Sequence, residues 1–362
     1  MFKVNNKVLI RGYYGNRNIG DEAMLLVLIG RLKYRGLDPI IASKNVVYSE
    51  RIHGVPACRS RIDARFIKEF IKCKYVVEGP GNKHGFISMI DLGLPIFAKL
   101  LFKKVEYTGL GFNPNTWSDH PTIDIEKEVK LSNPIKRAIL KYLFNVMVDK
   151  LSVRDDGSKR FLMINGVEER KILVENDLAF SLVANHSEEI YNDVFVSENI
   201  DKIFIGISVR RFKNDNDNNH FIEFLERLVK TIVNIDKNVT FVFIPFSFGL
   251  LDNDIEYSKI IINNFNGSID GFTGVVANYD DPRIIKGLVS KCDFMICVRY
   301  HSHIFAESEG IPYMAIVYDP KSLDVLSKST NCIKWYKITN LQNCIEDAAL
   351  QINKLDIFKQ EK

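Results

Sequence analysis

Residues 292–321 constrain the fold of this chain more than any other segment. They contain two apolar runs, 294–298 and 313–317, each with the length of a buried strand. Residues 304–309 between them have a helix-like composition, and a glycine and a proline follow, as is typical of a helix end. A strand–helix–strand unit of this kind is typical of a parallel sheet with helices packed on its faces.

Ionisable side chains follow both of these predicted strands. Arg299 and His301 come after the first, and Lys321 comes shortly after the second. Ligands of open parallel sheets bind outside the carboxyl ends of the strands, so these residues are candidates for a site. A guanidinium suits a carboxylate or phosphate, and a histidine can transfer a proton near neutral pH. The alternative is that Arg299 pairs with a local carboxylate such as Asp319 and that His301 and His303 are ordinary polar residues, but the clustering favours a site.

The alternation of apolar runs and helical segments extends over the whole chain and predicts an α/β protein with doubly wound parallel sheets. At 362 residues the chain is too long for one simple core, so we expect two domains. The polar, acidic segment 184–201 is the predicted linker between a first domain, 1–183, and a second domain, 202–340. Residues 341–362 are expected to form a C-terminal helix that packs back on the first domain.

A glycine-containing loop follows the first predicted strand and leads into an amphipathic helix. Gly15 and Gly20 have the spacing of a phosphate-binding loop, but Asp21 and Glu22 follow where such a loop continues with lysine and serine or threonine. Two carboxylates would repel a phosphate, whereas together with Asn18 they suit hydroxyl groups such as those of a sugar. The alternative interpretation is that Asp21 and Glu22 cap the helix and complement its dipole.

Two further strand ends carry features of a site. Gly79, Gly81 and Gly85 follow the strand predicted to end near residue 77, with a spacing that departs from the dinucleotide-binding fingerprint. We interpret them as a backbone-permissive loop that lines a cleft. The strand predicted to open the second domain ends at Arg210, which brings another guanidinium to the same kind of sheet edge.

Composition limits the partners of the chain. A formal net charge of +4 does not by itself indicate nucleic acid. Basic residues cluster in 51–74 and 136–141, where solvated helix faces are the favoured interpretation and attraction to an acidic membrane or an anionic substrate is the alternative. The apolar segment 86–102 is interpreted as a core helix in preference to a membrane-surface contact.

The cysteines and the N-terminus favour a cytoplasmic protein. None of the six cysteines forms a C-x-x-C pair, and no zinc-ligand spacing is present, so we expect neither a disulfide framework nor a metal site. The first fifteen residues lack the apolar region of a signal peptide. No apolar run approaches the roughly 20 residues that span a bilayer.

Five motifs together resemble those of the polysaccharide pyruvyl transferases. They are GYYGNRNIGDEA near the start, LSVRDDGS in mid-chain, NDLAF before the predicted linker, GISVR at the opening of the second half, and VRYHSHIFAESEGIPYMAIVYDPK near the end. The resemblance covers residues 12–321 and implies a glycosyltransferase-B-like fold, in which two Rossmann-like domains face each other across a cleft. It also implies transfer of pyruvate from phosphoenolpyruvate to a sugar of a surface polysaccharide, usually as a ketal bridging two hydroxyls, with release of phosphate.

The resemblance implies that the second domain binds the donor. Arg299 and His301 match the family's Arg-x-His motif, Arg210 matches the arginine after its G-x-S strand, and Lys321 closes its D-P-K motif. His301, Arg299 and Arg210 are therefore expected to be catalytic, and these three with Ser302 and Lys321 are expected to bind phosphoenolpyruvate. His301 would carry a proton, either as acid to the methylene carbon or as base to the sugar hydroxyl.

The resemblance implies that the first domain faces the acceptor, a glycan or a lipid-linked oligosaccharide. Asn18, Asp21 and Glu22 match the family's N-terminal loop, and with Gly79 and Gly81 they are the predicted acceptor-binding residues. Phosphoenolpyruvate is a co-substrate in this scheme, which needs no cofactor and no metal. We expect no nucleic acid partner, and a peripheral contact with the membrane stays open.

Some positions depart from the family pattern. Tyr300 stands where the family usually has leucine, and Asn176 and Asp177 stand in place of a more common Asp-Pro pair. The usual glycine triplet has Pro80 at its centre, and Glu78 precedes it where an apolar or small residue is common. The change at Glu78 bears on the acceptor and on the reaction itself.

Three other functions compete with this hypothesis. A nucleotide-sugar glycosyltransferase has the same architecture and also needs basic residues, because a fold does not fix a function. A non-catalytic homologue that binds glycans is the second alternative, and the presence of Arg210, Arg299 and His301 together argues against it. The irregular glycine spacing argues against a dehydrogenase.

Overall fold

The computed structural model describes residues 6–82, 89–112, 131, 133–195, 202–249 and 252–355. The chain divides into two compact units, and the division falls between Leu182 and Val183. Each unit is built on its own parallel sheet with helices packed against it. The predicted α/β, doubly wound architecture is therefore confirmed.

The first unit alternates strands and helices along its length. A π-helical turn, Leu143–Met147, follows its fifth helix, and 3-10 turns occupy Glu169–Lys171 and Leu178–Ser181. Its strands are β1 (Lys7–Arg11), β2 (Asp38–Ser43), β3 (Ala57–Arg59), β4 (Tyr75–Glu78), β5 (Gly81–Asn82), β6 (Lys104–Gly111), β7 (Lys150–Val153) and β8 (Ile172–Val174). Its helices are α1 (Ile19–Tyr34), α2 (Val46–His53), α3 (Ala64–Lys72), α4 (Met89–Leu100), α5 (Pro134–Tyr142) and α6 (Asp156–Ile164).

The first sheet has the order β3-β2-β1-β4-β6-β7-β8, with β5 beside β6, and all of these pairings are parallel. Helices cover both faces of a sheet of this kind, so its central strands are apolar along their whole length. Val8, Leu9 and Ile10 of β1 have no exposed surface. The strand order reverses between β1 and β4, and this switch point is where doubly wound sheets place a ligand crevice.

The second unit repeats the same construction. Its strands are β9 (Ile203–Ile207), β10 (Val239–Phe243), β11 (Phe248–Gly249), β12 (Asp252–Asn253), β13 (Gly274–Val276), β14 (Phe294–Cys297), β15 (Tyr313–Val317) and β16 (Cys332–Lys337). Its helices are α7 (Glu188–Val194), α8 (Asp215–Ile235), α9 (Asp254–Ser268), α10 (Pro282–Val289), α11 (Tyr300–Ser308), α12 (Lys321–Leu326) and α13 (Ile345–Asn353), and a 3-10 segment, Ile338–Cys344, precedes α13.

The second sheet has the order β13-β10-β9-β14-β15-β16 and is entirely parallel. Apart from the small antiparallel hairpin of β11 and β12, its strands follow the Rossmann order, which reverses between the first and fourth strands. The reversal lies between β9 and β14, so the residues that follow these two strands flank the switch point of this unit.

Side-chain caps fix the starts of the helices. An asparagine or aspartate precedes each of eight described helices, and its side chain accepts hydrogen bonds from backbone N–H groups of the first turn, which have no partner inside the helix. These caps are Asn18 of α1, Asn45 of α2, Asp63 of α3, Asn133 of α5, Asp155 of α6, Asn214 of α8, Asn253 of α9 and Asp281 of α10.

Two predicted segments differ from the structure. The predicted linker, 184–201, contains α7, whose Tyr191 and Val194 are buried. The tail helix was expected to pack back on the first domain; instead, Ala348 and Ile352 of α13 are buried in the same core as Phe224 of α8. The amphipathic helix α13 thus buries its apolar residues in the second unit, to which it belongs. Residues 356–362 lie outside the described residues.

Candidate active site

The switch point of the second unit brings together the residues that follow β9 and β14. The two strands pair in parallel, with Ile207 opposite Ile296, so their carboxyl ends lie side by side. Ser208 links them further, because its hydroxyl accepts a hydrogen bond of 3.2 Å from the backbone N–H of Arg299. Arg299 and Arg210 therefore project from neighbouring strand ends, as parallel topology predicts.

The guanidinium of Arg299 is buried and is bound by two carboxylates. Its Nη1 and Nη2 donate to Asp252 at 2.8 and 2.6 Å, and its Nε donates to Asp254 at 3.1 Å. A second, short hydrogen bond joins Nη2 to Asp254. Four of the five N–H groups of a guanidinium are therefore used. The local partner considered from the sequence, Asp319, is not among these acceptors.

The charges of this cluster support one another. Burial alone would lower the pKa of Arg299, but the charges and hydrogen bonds of Asp254 and Asp252 raise it. Burial opposes ionisation of Asp252, yet Arg299 and the nearby charge of Arg210 outweigh it and hold the pKa of Asp252 below its ordinary value. Asp254 is more deeply buried, and its pKa is raised. Arg299 thus stays charged and is held rigidly.

Arg210 stands in a different environment. Its guanidinium carbon lies 4.2 Å from the centre of the Tyr318 ring, which follows β15, so the two form a cation–π contact. The Nε of Arg210 is buried and has no hydrogen-bond partner in the part of the chain that the structure describes. The aromatic ring therefore orients the cation without consuming its N–H groups.

His301, His303 and Lys321 form the other side of the cluster. The Nζ of Lys321 lies 3.2 Å from Asp319 and 5.3 Å from the centre of the Tyr300 ring. The rings of Tyr300 and His301 meet edge to face with their centroids 5.0 Å apart. Burial, with the positive charges of His301 and Lys321, lowers the pKa of His303 to about 3. His303 is therefore neutral at physiological pH.

Ser302, predicted to bind the donor, has a local structural role in this arrangement. It is fully buried, and its hydroxyl donates a 2.6 Å hydrogen bond to the backbone carbonyl of Arg299. This bond fixes the first turn of α11 and hence the direction of His301. The second unit thus brings Arg210, Arg299, His301 and Lys321 to one sheet edge, with Ser302 beneath them.

In the first unit, the loop before α1 uses most of its polar groups internally. The side chain of Asn18 accepts from the N–H groups of Gly20 and Asp21 at 3.2 and 3.3 Å and so caps α1. Glu22 is fully buried; it accepts a 2.8 Å hydrogen bond from the Gly15 N–H and lies 2.8 Å from the Nε2 of His53. The helix cap is therefore Asn18, and Glu22 pairs with His53 and the Gly15 N–H, so the capping role considered for Asp21 and Glu22 belongs to Asn18.

A buried tyrosine explains two of the glycines. A Cβ atom at Gly79 would lie 2.0 Å from the hydroxyl oxygen of Tyr14, and one at Gly12 would lie 2.5 Å from its ring. Burial, with the charges of Asp21 and other nearby carboxylates, raises the pKa of Tyr14. Gly79 thus packs against protein. Gly81, at a φ of 141°, lies beside the half-buried Asp21, so these two remain together at the loop edge.

Sequence reasoning missed several partners of these residues. Asp252 and Asp254, which bind Arg299, flank the Asn253 cap of α9, and an Asp-x-Asp pair after a predicted strand was an available signal. His53 and Tyr14 carried no such signal. Gly85 lies outside the described residues. Among the residues that are described, no group of three or more His, Cys, Asp or Glu side chains is arranged to hold a metal ion.

Comparison with known proteins gives one family and one fold. A family model described as polysaccharide pyruvyl transferase matches residues 18–320. No curated protein matches the sequence. The UDP-GlcNAc 2-epimerase from Methanocaldococcus jannaschii is similar in structure, with a TM-score of 0.59, 13% identity and coverage of 98% of this chain and 92% of that one.

Two further structures have the same architecture. The UDP-GlcNAc 2-epimerase from Neisseria meningitidis, solved bound to UDP-GlcNAc, has a TM-score of 0.58 at 12% identity. The match covers 98% of this chain and 93% of the epimerase chain. Anabaena Alr3699/HepE, solved in complex with UDP-glucose, has a TM-score of 0.53 at 13% identity and covers 98% and 94%. At these identities the similarity establishes a glycosyltransferase-B-like fold.

Proposed function

The chain belongs to the polysaccharide pyruvyl transferase family, and from this premise we propose that it transfers pyruvate from phosphoenolpyruvate to two hydroxyls of a glycan. The observation that carries the proposal is the cluster at the switch point of the second unit. Arg210 is held on the Tyr318 ring there with its Nε unpartnered among the described residues, next to the strand end that carries His301. A cation oriented in this way suits a small dianionic donor with a carboxylate and a phosphate.

We assign the anionic groups of the donor to Arg210 and Lys321. From the sequence motif, Arg299 is the first candidate for a donor-binding cation. In the structure, however, Asp252 and Asp254 accept four hydrogen bonds from it, which leaves one N–H group for a substrate. We therefore propose that Arg299 is a positioning residue that anchors the start of α11. Ser302 supports it through the backbone carbonyl of Arg299.

The reaction that fits this site is acid–base catalysis without a covalent enzyme intermediate. Protonation of the methylene carbon makes the C2 atom of phosphoenolpyruvate electrophilic, and a sugar hydroxyl adds to it. A second hydroxyl then displaces phosphate, so the C2–O bond to phosphate breaks and the ketal closes. The two sugar hydroxyls release two protons. One of them compensates for the proton that the methylene carbon took up, and the other leaves on the phosphate. We propose that His301 carries the proton at one of these steps.

We assign the acceptor to the first unit. Of the predicted acceptor-binding residues, Asp21 and Gly81 lie together at the loop edge, whereas Glu22 is bound to His53 and Gly79 is packed against Tyr14. Asp21 is half-buried, and its carboxylate oxygens can accept hydrogen bonds from sugar hydroxyls. The proposed acceptor is a glycan, free or carried on a lipid.

We also propose a cytoplasmic location. All six cysteines are free thiols, and four of them are buried among apolar residues. Burial raises the pKa of Cys58 to about 11 and that of Cys73 to about 12, so these thiols are unreactive at neutral pH. A protein with unpaired cysteines fits a reducing compartment.

The proposal is tested by ligand-dependent thermal stability. A ligand that binds only the folded protein raises its stability, by about 2.7 kcal/mol at a hundredfold excess over Kd. We expect phosphoenolpyruvate to raise the Tm of the wild type and of the exposed-neighbour control Arg211→Gln, and to have no effect on Arg210→Gln. A shift with UDP-GlcNAc and none with phosphoenolpyruvate would instead make the chain a nucleotide-sugar enzyme, the alternative that shares its fold.

The same samples distinguish an enzyme from a glycan-binding homologue. His301→Gln should keep the stabilisation by phosphoenolpyruvate but release phosphate about 10²- to 10⁴-fold more slowly in the presence of an acceptor, because a general acid–base group contributes a factor of this size. Equal phosphate release by the wild type and this variant would remove His301 from the mechanism.

A further inference from the structure

The first unit exposes a cluster of large apolar side chains where α3 and α4 end. We name it the apolar face and define it by six residues. Phe102 is 97% exposed, Leu100 is 65% exposed and Ile71 is 63% exposed, so these are side chains that folding leaves in water. The full set is Ile67 and Ile71 on α3, Phe97 and Leu100 on α4, and Leu101 and Phe102 in the turn that follows α4.

Contacts between the two helices make this cluster continuous. The rings of Phe70 on α3 and Phe97 on α4 stack with their centroids 5.9 Å apart. The Nζ of Lys103, just after the turn, donates a 3.0 Å hydrogen bond to the carbonyl of Ile71 at the end of α3. The apolar side chains of both helix ends are therefore neighbours on one surface.

The inward side of α3 shows that the outward apolar residues are not required by the core. Phe66 and Phe70, four residues apart, are buried and complete the packing of this helix. Ile67 and Ile71 repeat the same spacing on the adjoining stripe and are exposed. A surface helix ordinarily has charged or polar residues at such positions.

Phe102 is unfavourable for the turn that holds it. Its φ is 55°, a left-handed conformation that glycine adopts freely and that a bulky side chain adopts rarely. The side chain gains nothing from packing in return, because 97% of it is exposed. A glycine would suit this turn better, so packing among the described residues does not account for the ring.

The charges around the apolar face are mostly positive. Residues 64–74 and 97–104 contain seven lysine and arginine residues and a single carboxylate, Glu69, and the carboxylate of Asp149 pairs with one of the seven, Lys99. Lys68, Lys72 and Lys104 are exposed at its borders. Apolar side chains surrounded by lysines match an anionic bilayer, whose headgroups pair with the ammonium groups while the apolar groups enter the interface.

We propose that the apolar face docks this protein on an anionic membrane surface. The contact would be peripheral: no helix among the described residues has the length and apolarity to cross a bilayer. A second copy of the chain is a poorer partner, because a twofold contact would bring two sets of lysines against each other. The inference rests on the surface alone and is independent of the proposed reaction.

The test is sedimentation with vesicles of phosphatidylglycerol and phosphatidylcholine, using the full chain. We expect the wild type to bind vesicles rich in phosphatidylglycerol, to bind pure phosphatidylcholine vesicles at least tenfold more weakly, and to be released by salt. The double variant Phe102→Gly, Leu100→Ser should bind at least tenfold more weakly than the wild type. Tyr34→Ser is the matched control, because Tyr34 is 95% exposed at the end of α1, outside the apolar face.

The variant also separates docking from folding. Phe102→Gly relieves an unfavourable φ, so its Tm should equal or exceed that of the wild type while its vesicle binding falls. Failure of the wild type to sediment with phosphatidylglycerol vesicles overturns the proposal, as does equal binding by the double variant. Self-association of the wild type that Phe102→Gly abolishes, with no vesicle binding, assigns the face to a protein contact instead.

Discussion

Arg210 and Arg299 are chemically identical side chains at neighbouring strand ends, but they have different environments. Arg299 lies within hydrogen-bond distance of two aspartates, and Arg210 lies on an aromatic ring. A buried guanidinium that is satisfied by carboxylates is rigid and unavailable, whereas one oriented by a ring keeps its N–H groups for a ligand. A motif identifies the residue type, and the neighbours decide its role.

Asp254→Asn tests the anchoring role of Arg299. Asp254 is fully buried, and replacing its charge leaves a buried guanidinium partly uncompensated, so we expect the free energy of unfolding to fall by about 3 kcal/mol. Asp252→Asn is the matched control: the Asp252 side chain is 40% exposed and the loss should stay below about 1 kcal/mol. Both are measured by urea denaturation, and equal losses would contradict the model of a buried anchor.

His303 makes stability depend on pH. Its pKa is about 3 in the folded protein, against an ordinary value of 6.5, because it is buried beside His301 and Lys321. The unfolded chain takes up a proton below pH 6.5 and the folded protein does not, so this contribution to stability is complete above pH 6.5. It is lost as the pH falls towards 3, at about 1.4 kcal/mol per pH unit.

Replacing the ring by a non-titrating side chain should remove that slope. Neither ring nitrogen of His303 has a hydrogen-bond partner among the described residues, so His303→Leu sacrifices no such bond. We expect its unfolding free energy to fall less between pH 7 and pH 5 than that of the wild type. His220→Gln, at a partly exposed position of α8, should retain the wild-type slope. An unchanged slope in His303→Leu would contradict this assignment.

At the scale of elements, the loops after β1 and β4 are locked together by one ring. Tyr14 from the first loop fills the space beside Gly12 and Gly79, and its hydroxyl lies 3.4 Å from the carbonyl of Pro80. Glycine is therefore required at these two positions because a larger residue would overlap the Tyr14 side chain. This packing shapes the loop that we propose for acceptor binding.

Gly79→Ala should destabilise the first unit. Its added methyl group would lie 2.0 Å from the Tyr14 hydroxyl oxygen, so the buried ring must move, at a cost of about 1–3 kcal/mol. Gly30→Ala is the control, because a Cβ there meets nothing within 4 Å and lies inside α1, where alanine gains about 0.5–1 kcal/mol over glycine. Thermal denaturation should therefore shift in opposite directions for the two variants, and a loss in both would indicate a general intolerance of the fold.

Strands and helices were predictable where the sequence has a strong period. The apolar run predicted at 294–298 is β14, and the run at 313–317 is β15. The edge strands β3 and β16 were missed. Ala57–Arg59 has only three residues, and Cys332–Lys337 alternates with lysines and keeps Trp335 exposed, so neither has the apolar run of a central strand.

The cations of the candidate site could be predicted from the sequence, but the side chains that bind them could not. Arg299 was found from its place after a strand, but its acceptors Asp252 and Asp254 lie more than forty residues earlier in the chain and reach it only through the sheet topology. Asp21 and Glu22 are adjacent in sequence, yet successive helix positions point about 100° apart. Glu22 is therefore buried against His53, and Asp21 stays at the edge.

At the scale of the whole molecule, each unit has its own parallel sheet, core and switch point. The second unit brings Arg210, Arg299 and Lys321 to its switch point, with aspartates beside them, and the first unit brings Asp21, Glu22 and Glu78 together near Tyr14. This difference in side chains matches the proposed division of substrates, with an anionic donor on one unit and a neutral, hydroxyl-rich acceptor on the other.

The carboxylates around Arg299 have a consequence for how the proposed donor would reach its site. The three cations Arg210, Arg299 and Lys321 are equal in number to the three aspartates Asp252, Asp254 and Asp319, so these six groups carry no formal net charge. A neutral cluster does not attract an anion over long distances, and encounters with it are governed by diffusion rather than by steering. If the proposed donor binds here, it is therefore selected by short-range hydrogen bonds from directed N–H groups, and the cluster does not concentrate other anions around it.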